Sequence, residues 1–242
     1  MKYNSVHEGD AYEVMKLIPS NSMNMVLTDP PYSITRNEWD VEINLDNFWE
    51  ECKRILSPSG CVVLTASQPF SSKVVVSNFS WFRYEWIWNK RMVTGVLNAK
   101  HRPLKSHESI LVFAPSKFTY NPQGLKNFNR IRSQGKSSSN YAKRNELPYL
   151  QKFTNFPRSI IEIGYTKKDR GMHPTQKPLA LFEYLVATYS NIGDLILDPF
   201  AGSGTSAIAC KNLSRKFILI EKNKIYSKII MNRLNEEKGN FK

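Results

Sequence analysis

The sequence predicts an α/β protein with a doubly wound, mixed but mainly parallel β-sheet. Three observations lead to this fold class. Short apolar runs of strand length alternate with segments of helical periodicity across the 242 residues. Two of these runs end in a proline-rich or glycine-containing loop, which is where ligand sites of doubly wound sheets lie. Apolar residues make up 41% of the chain, enough to build a core, so a wholly disordered protein is excluded.

The first half of the chain is predicted to supply four strands and two helices. Apolar residues recur at helical spacing between Leu45 and Leu56, and the turn-forming Ser57–Gly60 ends that helix. A shorter helix is predicted over Gln68–Ser77. The predicted strands are Met23–Asp29, Cys61–Thr65, Tyr84–Trp88 and Ile110–Phe113, of which the last two form an adjacent pair.

The last third of the chain repeats the alternation of helix and strand. Such alternation indicates parallel strands joined by crossover helices. The predicted elements are the helix Leu179–Tyr189, the strand Leu195–Asp198, the helix Ser206–Leu213, the strand Phe217–Glu221 and a closing helix, Ile225–Leu234.

The net charge of +13 is concentrated in the middle of the chain. Residues 91–170 hold 16 basic and 4 acidic residues, a net charge of +12, whereas residues 1–90 carry −3 and residues 171–242 carry +4. A local excess of this size is typical of a face that binds a polyanion.

Residues 116–171 are predicted to form a basic, loop-rich insertion between residues 1–115 and residues 172–242, the two halves of one α/β domain. The segment has little clean periodicity, and its basic residues are interleaved with aromatic ones. A loop region of this length inside a compact protein is usually functional or disordered. A basic loop without a specific role remains the alternative.

Composition excludes several classes of protein. No stretch approaches the roughly 18 apolar residues of a membrane span, and the first ten residues do not resemble a signal peptide. The three cysteines, Cys52, Cys61 and Cys210, are widely spaced, which favours buried thiols over a disulfide framework or a zinc site. We therefore expect a cytoplasmic protein without a membrane partner or a bound metal.

The first motif with chemical content is Asp198-Pro-Phe-Ala-Gly-Ser-Gly-Thr205, which lies between a predicted strand and a helix. Gly202 and Gly204 allow unusual backbone angles and a close approach to a ligand. Glu221 ends the next strand, and its carboxylate can accept hydrogen bonds from both ribose hydroxyls. Because the loop lacks the full GxGxxG spacing, it favours an adenosine ligand without a pyrophosphate, such as S-adenosylmethionine.

The second motif is Asp29-Pro30-Pro31-Tyr32, directly after a strand. The two prolines hold the chain extended and remove two N–H donors. The loop therefore offers acceptors, the Asp29 carboxylate and the Pro30 carbonyl, beside an aromatic ring. Acceptors of this kind suit an exocyclic aromatic amine, because they stabilise the positive charge that develops on nitrogen when it is methylated. The Tyr32 ring can stack on the base.

Together these motifs resemble the β class of S-adenosylmethionine-dependent DNA amino-methyltransferases, which methylate adenine N6 or cytosine N4. The order agrees: DPPY first, a basic variable region, an HPTQKP element at His173–Pro178, and the cofactor loop last. The resemblance covers roughly residues 5–115 and 171–235. It implies a Rossmann-like methyltransferase fold with S-adenosylmethionine as cofactor and duplex DNA, from which one base is flipped out, as substrate.

The resemblance also implies roles for individual residues. Asp29, Pro30, Pro31 and Tyr32 would form the catalytic loop. Asp10 matches an acidic residue near the cofactor adenine, although by itself it is a helix N-cap candidate. Thr175 and Lys177 would lie near the methionine carboxylate. The full set of expected cofactor contacts is Asp10, Thr175, Lys177, Asp198, Phe200, Gly202, Gly204, Thr205 and Glu221.

Basic residues of the middle third are the candidates for contacts to DNA. Guanine readout is assigned to no single arginine among them. The candidates are Arg91, Lys100, Arg102, Lys105, Arg130, Arg132, Lys143, Arg144 and Arg158. A homodimer and an accompanying restriction endonuclease remain open as further partners.

Adenine N6 is the favoured target. An aspartate opens the first motif, whereas serine is frequent in the cytosine members, and Trp39-Asp40 adds to this by resemblance. A Pro-Cys nucleophile motif is absent, which argues against cytosine C5 chemistry. A cytosine N4 enzyme remains the first alternative. An RNA or protein amine methyltransferase and a non-catalytic DNA-binding relative are less favoured.

Overall fold

The computed structural model describes residues 2–33, 41–132, 148–169, 171 and 175–239. The chain divides into two compact units, one formed by Met1–Asn121 with Ser159–Lys242 and the other by Pro122–Arg158. The second unit lies inside the predicted insertion of residues 116–171. Across the described ranges, no helix combines the length and the apolar character needed to cross a membrane.

The larger unit contains an eight-stranded mixed sheet with helices between its strands. The strands are β1 (Ser5–Glu8), β2 (Met23–Thr28), β3 (Leu56–Ala66), β4 (Phe82–Thr94), β5 (Lys105–Phe113), β8 (Ile160–Glu162), β9 (Leu195–Asp198) and β10 (Lys216–Glu221). The helices are α1 (Ala11–Met15), α2 (Leu45–Ile55), α3 (Phe70–Ser77), α4 (Leu179–Tyr189), α5 (Thr205–Asn212) and α6 (Lys224–Gly239).

The strand order is β1-β10-β9-β2-β3-β5-β4-β8. The pairs from β1 through β3 are parallel, whereas β5 is antiparallel to both β3 and β4. The predicted fold class, mixed but mainly parallel, is confirmed, and so is the predicted pairing of the two strands around Tyr84–Trp88 and Ile110–Phe113.

Apolar side chains cover both faces of the sheet. Within β2, Leu27 packs into a cluster with Leu185 of α4 and Ile230 of α6. Its neighbour Val26 points to the other face and packs with Phe48 of α2. The alternation follows from the two-residue repeat of a strand, and burial on both faces explains why β2 is apolar almost throughout.

Three parts of the fold differ from the sequence prediction. The strand β1 and the helix α1 were not predicted, because a four-residue edge strand and a five-residue helix are too short to show a period. The strand β8 lies inside the predicted insertion of residues 116–171, yet it pairs with β4 in the large sheet. The strand β3 begins at Leu56 instead of Cys61, so the predicted turn Ser57–Gly60 lies within the strand. Met23 pairs with Leu56 and Met25 with Cys61, which makes residues 57–60 a bulge.

The smaller unit contains an antiparallel pair of strands, β6 (Lys126–Arg132) and β7 (Tyr149–Thr154). Most of their side chains are exposed. The side chain of Asn155, directly after β7, donates to the carbonyl of Gly124 at 2.6 Å and so connects the end of β7 to the segment before β6. Two of the predicted DNA contacts, Lys143 and Arg144, lie outside the described residues.

Gly204 lies in the cofactor-type loop, Asp198–Thr205, and packs against Ile230 of α6. Its φ is +76°, and a Cβ at this position would lie 2.8 Å from Cγ2 of Ile230. We predict that Gly204→Ala lowers the free energy of unfolding by about 2–4 kcal/mol, since left-handed strain and overpacking add. Gly193→Ala is the matched control, because Gly193 has φ +85° and nothing within 4 Å. It should cost about 1 kcal/mol. Urea denaturation measures both, and equal losses would contradict the packing argument.

Candidate active site

The two sequence motifs meet at the carboxyl ends of adjacent strands. The buried carboxylate of Asp198, at the end of β9, accepts the hydroxyl of Thr28 at the end of β2 at 2.7 Å. It also accepts the hydroxyl of Ser206 at 2.5 Å and the backbone N–H of Phe200 at 3.2 Å. Burial raises the pKa of Asp198 to about 6 and outweighs these donors. Asp198 therefore links the two motifs.

The glycine-containing loop is fixed to the end of β10. The backbone N–H of Gly202 donates to Oε2 of Glu221 at 2.7 Å, and the N–H of Asn223 donates to Oε1 at 2.8 Å. Burial raises the pKa of Glu221, partly offset by these backbone donors. A carboxylate has about four lone-pair sites, so these backbone bonds leave capacity for a further donor. Glu221 thus combines a structural bond with the capacity to bind hydroxyl groups.

Asp10 is the N-cap of α1. Its side chain accepts the backbone N–H of Tyr12 at 3.0 Å, and Lys222 lies 3.4 Å from its other oxygen. The capping interpretation made from the sequence is therefore correct. Asp10 also lines the same cavity as Glu221, so the contact to an adenine ring stays a prediction that the geometry allows.

The carboxylate of Asp29, directly after β2, receives three side-chain donors. Oδ1 accepts the hydroxyl of Tyr32 at 2.7 Å and also the hydroxyl of Thr65. Oδ2 accepts the ammonium of Lys177 at 2.7 Å. The Tyr32 ring stacks on Phe70 at a centroid distance of 5.3 Å. Burial and the nearby Asp29 charge raise the pKa of Tyr32 well above its usual value, so the phenol stays protonated and can donate.

Lys177 belongs to a row of side chains whose charges alternate in sign. Its ammonium lies 3.4 Å from Oε2 of Glu108, whose Oε1 is 3.2 Å from the ammonium of Lys90. Burial opposes the charge on Lys177, but Asp29 and Glu108 outweigh it and raise the pKa of Lys177. Burial likewise opposes ionisation of Glu108, and Lys177 and Lys90 overcome it to lower that pKa. Both directions favour the charged forms of Lys177 and Glu108.

Sequence reasoning did not identify Thr65, Glu108 or Lys90 as site residues. One signal was present for Thr65. It follows Leu64, which pairs with Thr28, so it had to lie level with Asp29 once β2 and β3 were taken as neighbours. Glu108 is the first acidic residue after a run of seventeen residues, 91–107, that contains none. Lys90 carries no sequence signal of this kind.

Both motifs open into one cavity of about 1200 Å³. This exceeds the roughly 300–1,000 Å³ of an ordinary small-ligand pocket and leaves room for two ligands side by side. Gly204 does not line the cavity and lies against Ile230 instead. The predicted site residues that line it are Asp10, Asp29, Pro30, Pro31, Tyr32, Thr175, Lys177, Asp198, Phe200, Gly202, Thr205 and Glu221.

Two buried oxygens of uncharged side chains in the cavity wall are unsatisfied, beside Oε2 of Glu108, which among the described residues has only its ion pair with Lys177. Oε1 of Gln176 and Oγ1 of Thr205 have no hydrogen-bond partner within the part of the chain that the structure describes. The two side chains are 6% and 5% exposed. An unsatisfied buried polar atom is costly, and a polar ligand would remove that cost. The wall therefore suits a ligand with amino-acid-like polar groups.

The predicted DNA contacts fall in both units. In the larger unit, Arg91, Lys100 and Arg102 are exposed, and Arg91 is 3.3 Å from Glu162. Lys105 is half-buried, and burial lowers its pKa. In the smaller unit, Arg158 is exposed, and the exposed guanidinium groups of Arg130 and Arg132 lie 5.2 Å and 5.1 Å from the ring centroid of Phe128.

Known proteins with similar sequences share one activity. The DNA methylase family N6_N4_Mtase matches residues 23–232. The type II methyltransferase M.HpaI of Haemophilus parainfluenzae is 31% identical, and the match covers 96% of this chain and 74% of the relative. The DNA adenine methyltransferase YhdJ of Escherichia coli (strain K12) is 30% identical, with 96% and 82% covered.

A solved structure agrees with these relatives. The crystal structure of the M1.HpyAVI–SAM complex matches with a TM-score of 0.66 and 26% identity, covering 96% of this chain and 98% of that one. The chain belongs to the N6_N4_Mtase family of DNA methylases. The resemblance inferred from the DPPY, HPTQKP and DPFAGSGT motifs is confirmed.

Proposed function

We propose that this DNA methylase transfers a methyl group from S-adenosylmethionine to the N6 amine of adenine in a specific duplex DNA sequence. One observation carries the proposal. The acceptor loop with Asp29 and Pro30 shares a cavity with the loop of Gly202 and with Glu221. A site for an aromatic amine and a site for an adenosine ligand thus adjoin each other.

The residues at the cofactor end fit S-adenosylmethionine. Glu221 can accept a ribose hydroxyl, because its carboxylate has about four lone-pair sites and its backbone donors do not fill them all. The unsatisfied Gln176 and Thr205 can bind the amino and carboxylate groups, beside Lys177 and Thr175. Phe200 and Gly202 would line the adenosine, and Asp10 would lie at the adenine. When bound, the cofactor supplies a methyl group activated by its sulfonium.

The residues at the acceptor end fit an exocyclic amine. The Asp29 carboxylate and the Pro30 carbonyl can accept its two N–H bonds and stabilise the positive charge that develops on nitrogen. The ion pair with Lys177, at 2.7 Å, holds the Asp29 carboxylate in place. The Tyr32 ring packs on Phe70, and the Lys177 ammonium lies 5.4 Å from the ring centroid, so a flipped base would stack on the ring surface that these two groups leave open. Pro31 keeps the loop extended.

Adenine is the favoured target for two reasons. YhdJ, which matches over 96% of this chain, is named as a DNA adenine methyltransferase. The first motif also opens with aspartate, as in the adenine members of the class that the sequence resembles. Methylation of cytosine N4 is the alternative, since the family name covers both amines.

The wider setting follows from the relatives. M.HpaI is named as a type II methyltransferase, which supports a restriction-modification context in the cytoplasm with an accompanying endonuclease. A homodimer is the assembly expected from the resemblance. The exposed basic residues of both units supply the contacts to phosphates.

The role of Asp29 gives the first functional prediction. Asp29→Ala should reduce methyl transfer to DNA by about 10²–10³-fold, the usual loss when one group that stabilises transition-state charge is removed. Cofactor affinity should change by less than about threefold, because Glu221 and the Gly202 loop remain. Glu50→Ala, which removes an exposed carboxylate of α2, is the control and should behave as wild type. Turnover by Asp29→Ala at the wild-type rate would refute the assigned role.

The smaller unit gives a second prediction. If about six basic side chains meet phosphates, log K for DNA should fall with log salt with a slope near −5. Arg130→Ala combined with Arg132→Ala should make this slope shallower by up to about 1.8 units, since each phosphate contact contributes about 0.9. Lys73→Ala, which removes an exposed cation of α3, should leave it unchanged. If the double variant has the wild-type slope, Arg130 and Arg132 do not contact DNA phosphates.

A further inference from the structure

The hairpin formed by β4 and β5 ends in an apolar tip that no sequence motif explains. Thr94 and Lys105 form the last pair of the hairpin, and residues 95–104 form its tip. We call the tip and the strand ends that carry it, residues 91–107, the arm. Leu97 is 99% exposed and Val96 is 65% exposed. Two adjacent aliphatic side chains in this position cost solvation free energy and contribute no packing, so a binding partner is the natural explanation.

The tip has a defined conformation that holds these side chains outward. Val96–Asn98 forms one turn of 3₁₀ helix. The N–H of Asn98 donates to the carbonyl of Gly95 at 2.9 Å, and the N–H of Ala99 donates to that of Val96 at 3.0 Å. The N–H of Arg102 then returns to the carbonyl of Asn98 at 3.0 Å. Leu97 therefore projects from a hydrogen-bonded turn.

The arm begins in the wall of the active-site cavity. Lys90, Met92 and Thr94 of β4 all line the cavity. Leu97 follows Thr94 by three residues, so its Cα lies within about 11 Å of that wall, the full reach of three extended residues. A substrate whose target base enters the cavity would have its neighbouring bases within reach of the tip.

The charge of the arm specifies the partner. Residues 91–107 contain no aspartate or glutamate. They contain Arg91, Lys100, Arg102 and Lys105, of which the first three are exposed. Exposed apolar side chains surrounded by basic ones are complementary to duplex DNA, in which stacked bases lie between two phosphate backbones.

We propose that Val96 and Leu97 are a wedge that enters the base stack of DNA beside the target base and fills the gap that base flipping leaves. The inference rests on the proposed function and extends it to the flipping step. Extrusion of a base costs stacking and pairing free energy, and an inserted apolar side chain restores part of the lost contact. The side chains act before methyl transfer and touch no reacting atom.

The test compares one variant on two DNA substrates. The recognition sequence is first located by methylation-sensitive sequencing of DNA treated with the wild-type protein. Leu97→Ser is then assayed on that duplex and on the same duplex with an abasic site opposite the target base, where no pair has to be broken. We expect kcat/KM to fall about tenfold or more on the paired duplex, and less than about threefold on the unpaired one.

Ile192→Ser is the matched control, because Ile192 is 78% exposed in the loop between α4 and β9. It should match wild type on both duplexes. Thermal unfolding and cofactor affinity of Leu97→Ser should also match wild type, since the side chain has almost no packing to lose.

Each of the other outcomes overturns the proposal that Val96 and Leu97 act as a wedge. Equal losses on both duplexes would show a general DNA contact, and wild-type activity on both would show that Leu97 has no part in flipping. A lower oligomeric state of Leu97→Ser in analytical ultracentrifugation would assign the tip to a second copy of the chain. In all three cases the proposed function stands. Absence of methylation by the wild-type protein on any DNA would refute the proposed function and the wedge with it.

Discussion

The hydrogen bond between Thr28 and the buried carboxylate of Asp198 joins the two halves of the active site. It connects the end of β2, where the acceptor loop starts, to the end of β9, where the cofactor-type loop starts. Ser206 and the backbone N–H of Phe200 donate to the same carboxylate. Because a half-satisfied buried carboxylate is costly, the four groups define one arrangement of both loops. The distance over which a methyl group moves is set by that arrangement.

The row of charges from Lys90 to Asp29 adds a second constraint. Charges taken out of water are tolerated when each has an opposite neighbour, and here Lys90, Glu108, Lys177 and Asp29 alternate in sign. Removal of Lys177 would leave Asp29 without its cation, and removal of Glu108 would leave Lys90 without its anion, so the two inner groups hold the row together. The row also places the Asp29 carboxylate beside the acceptor loop, where a negative charge stabilises positive charge that develops on a bound amine.

Sequence alone predicted six of the eight strands of the sheet and the two loops, because these depend on local patterns. Burial on both faces makes β2 and β9 mostly apolar, and the prolines and glycines after them restrict the backbone in recognisable ways. Contacts between elements that are distant in the sequence could not be predicted. Thr65 and Glu108 enter the site only through the pairing of β3 with β2 and β5. The exposed extension of β4 beyond Lys90 has no burial pattern to reveal it.

The central claim is that the amine held by Asp29 and Pro30 belongs to adenine in DNA. Mass analysis of nucleosides from unmethylated duplex DNA, incubated with the wild-type protein and S-adenosylmethionine, tests it directly. The account predicts N6-methyladenine as the product, dependent on the cofactor. N4-methylcytosine without N6-methyladenine would contradict the choice of base, and the absence of both would contradict the assignment of the site.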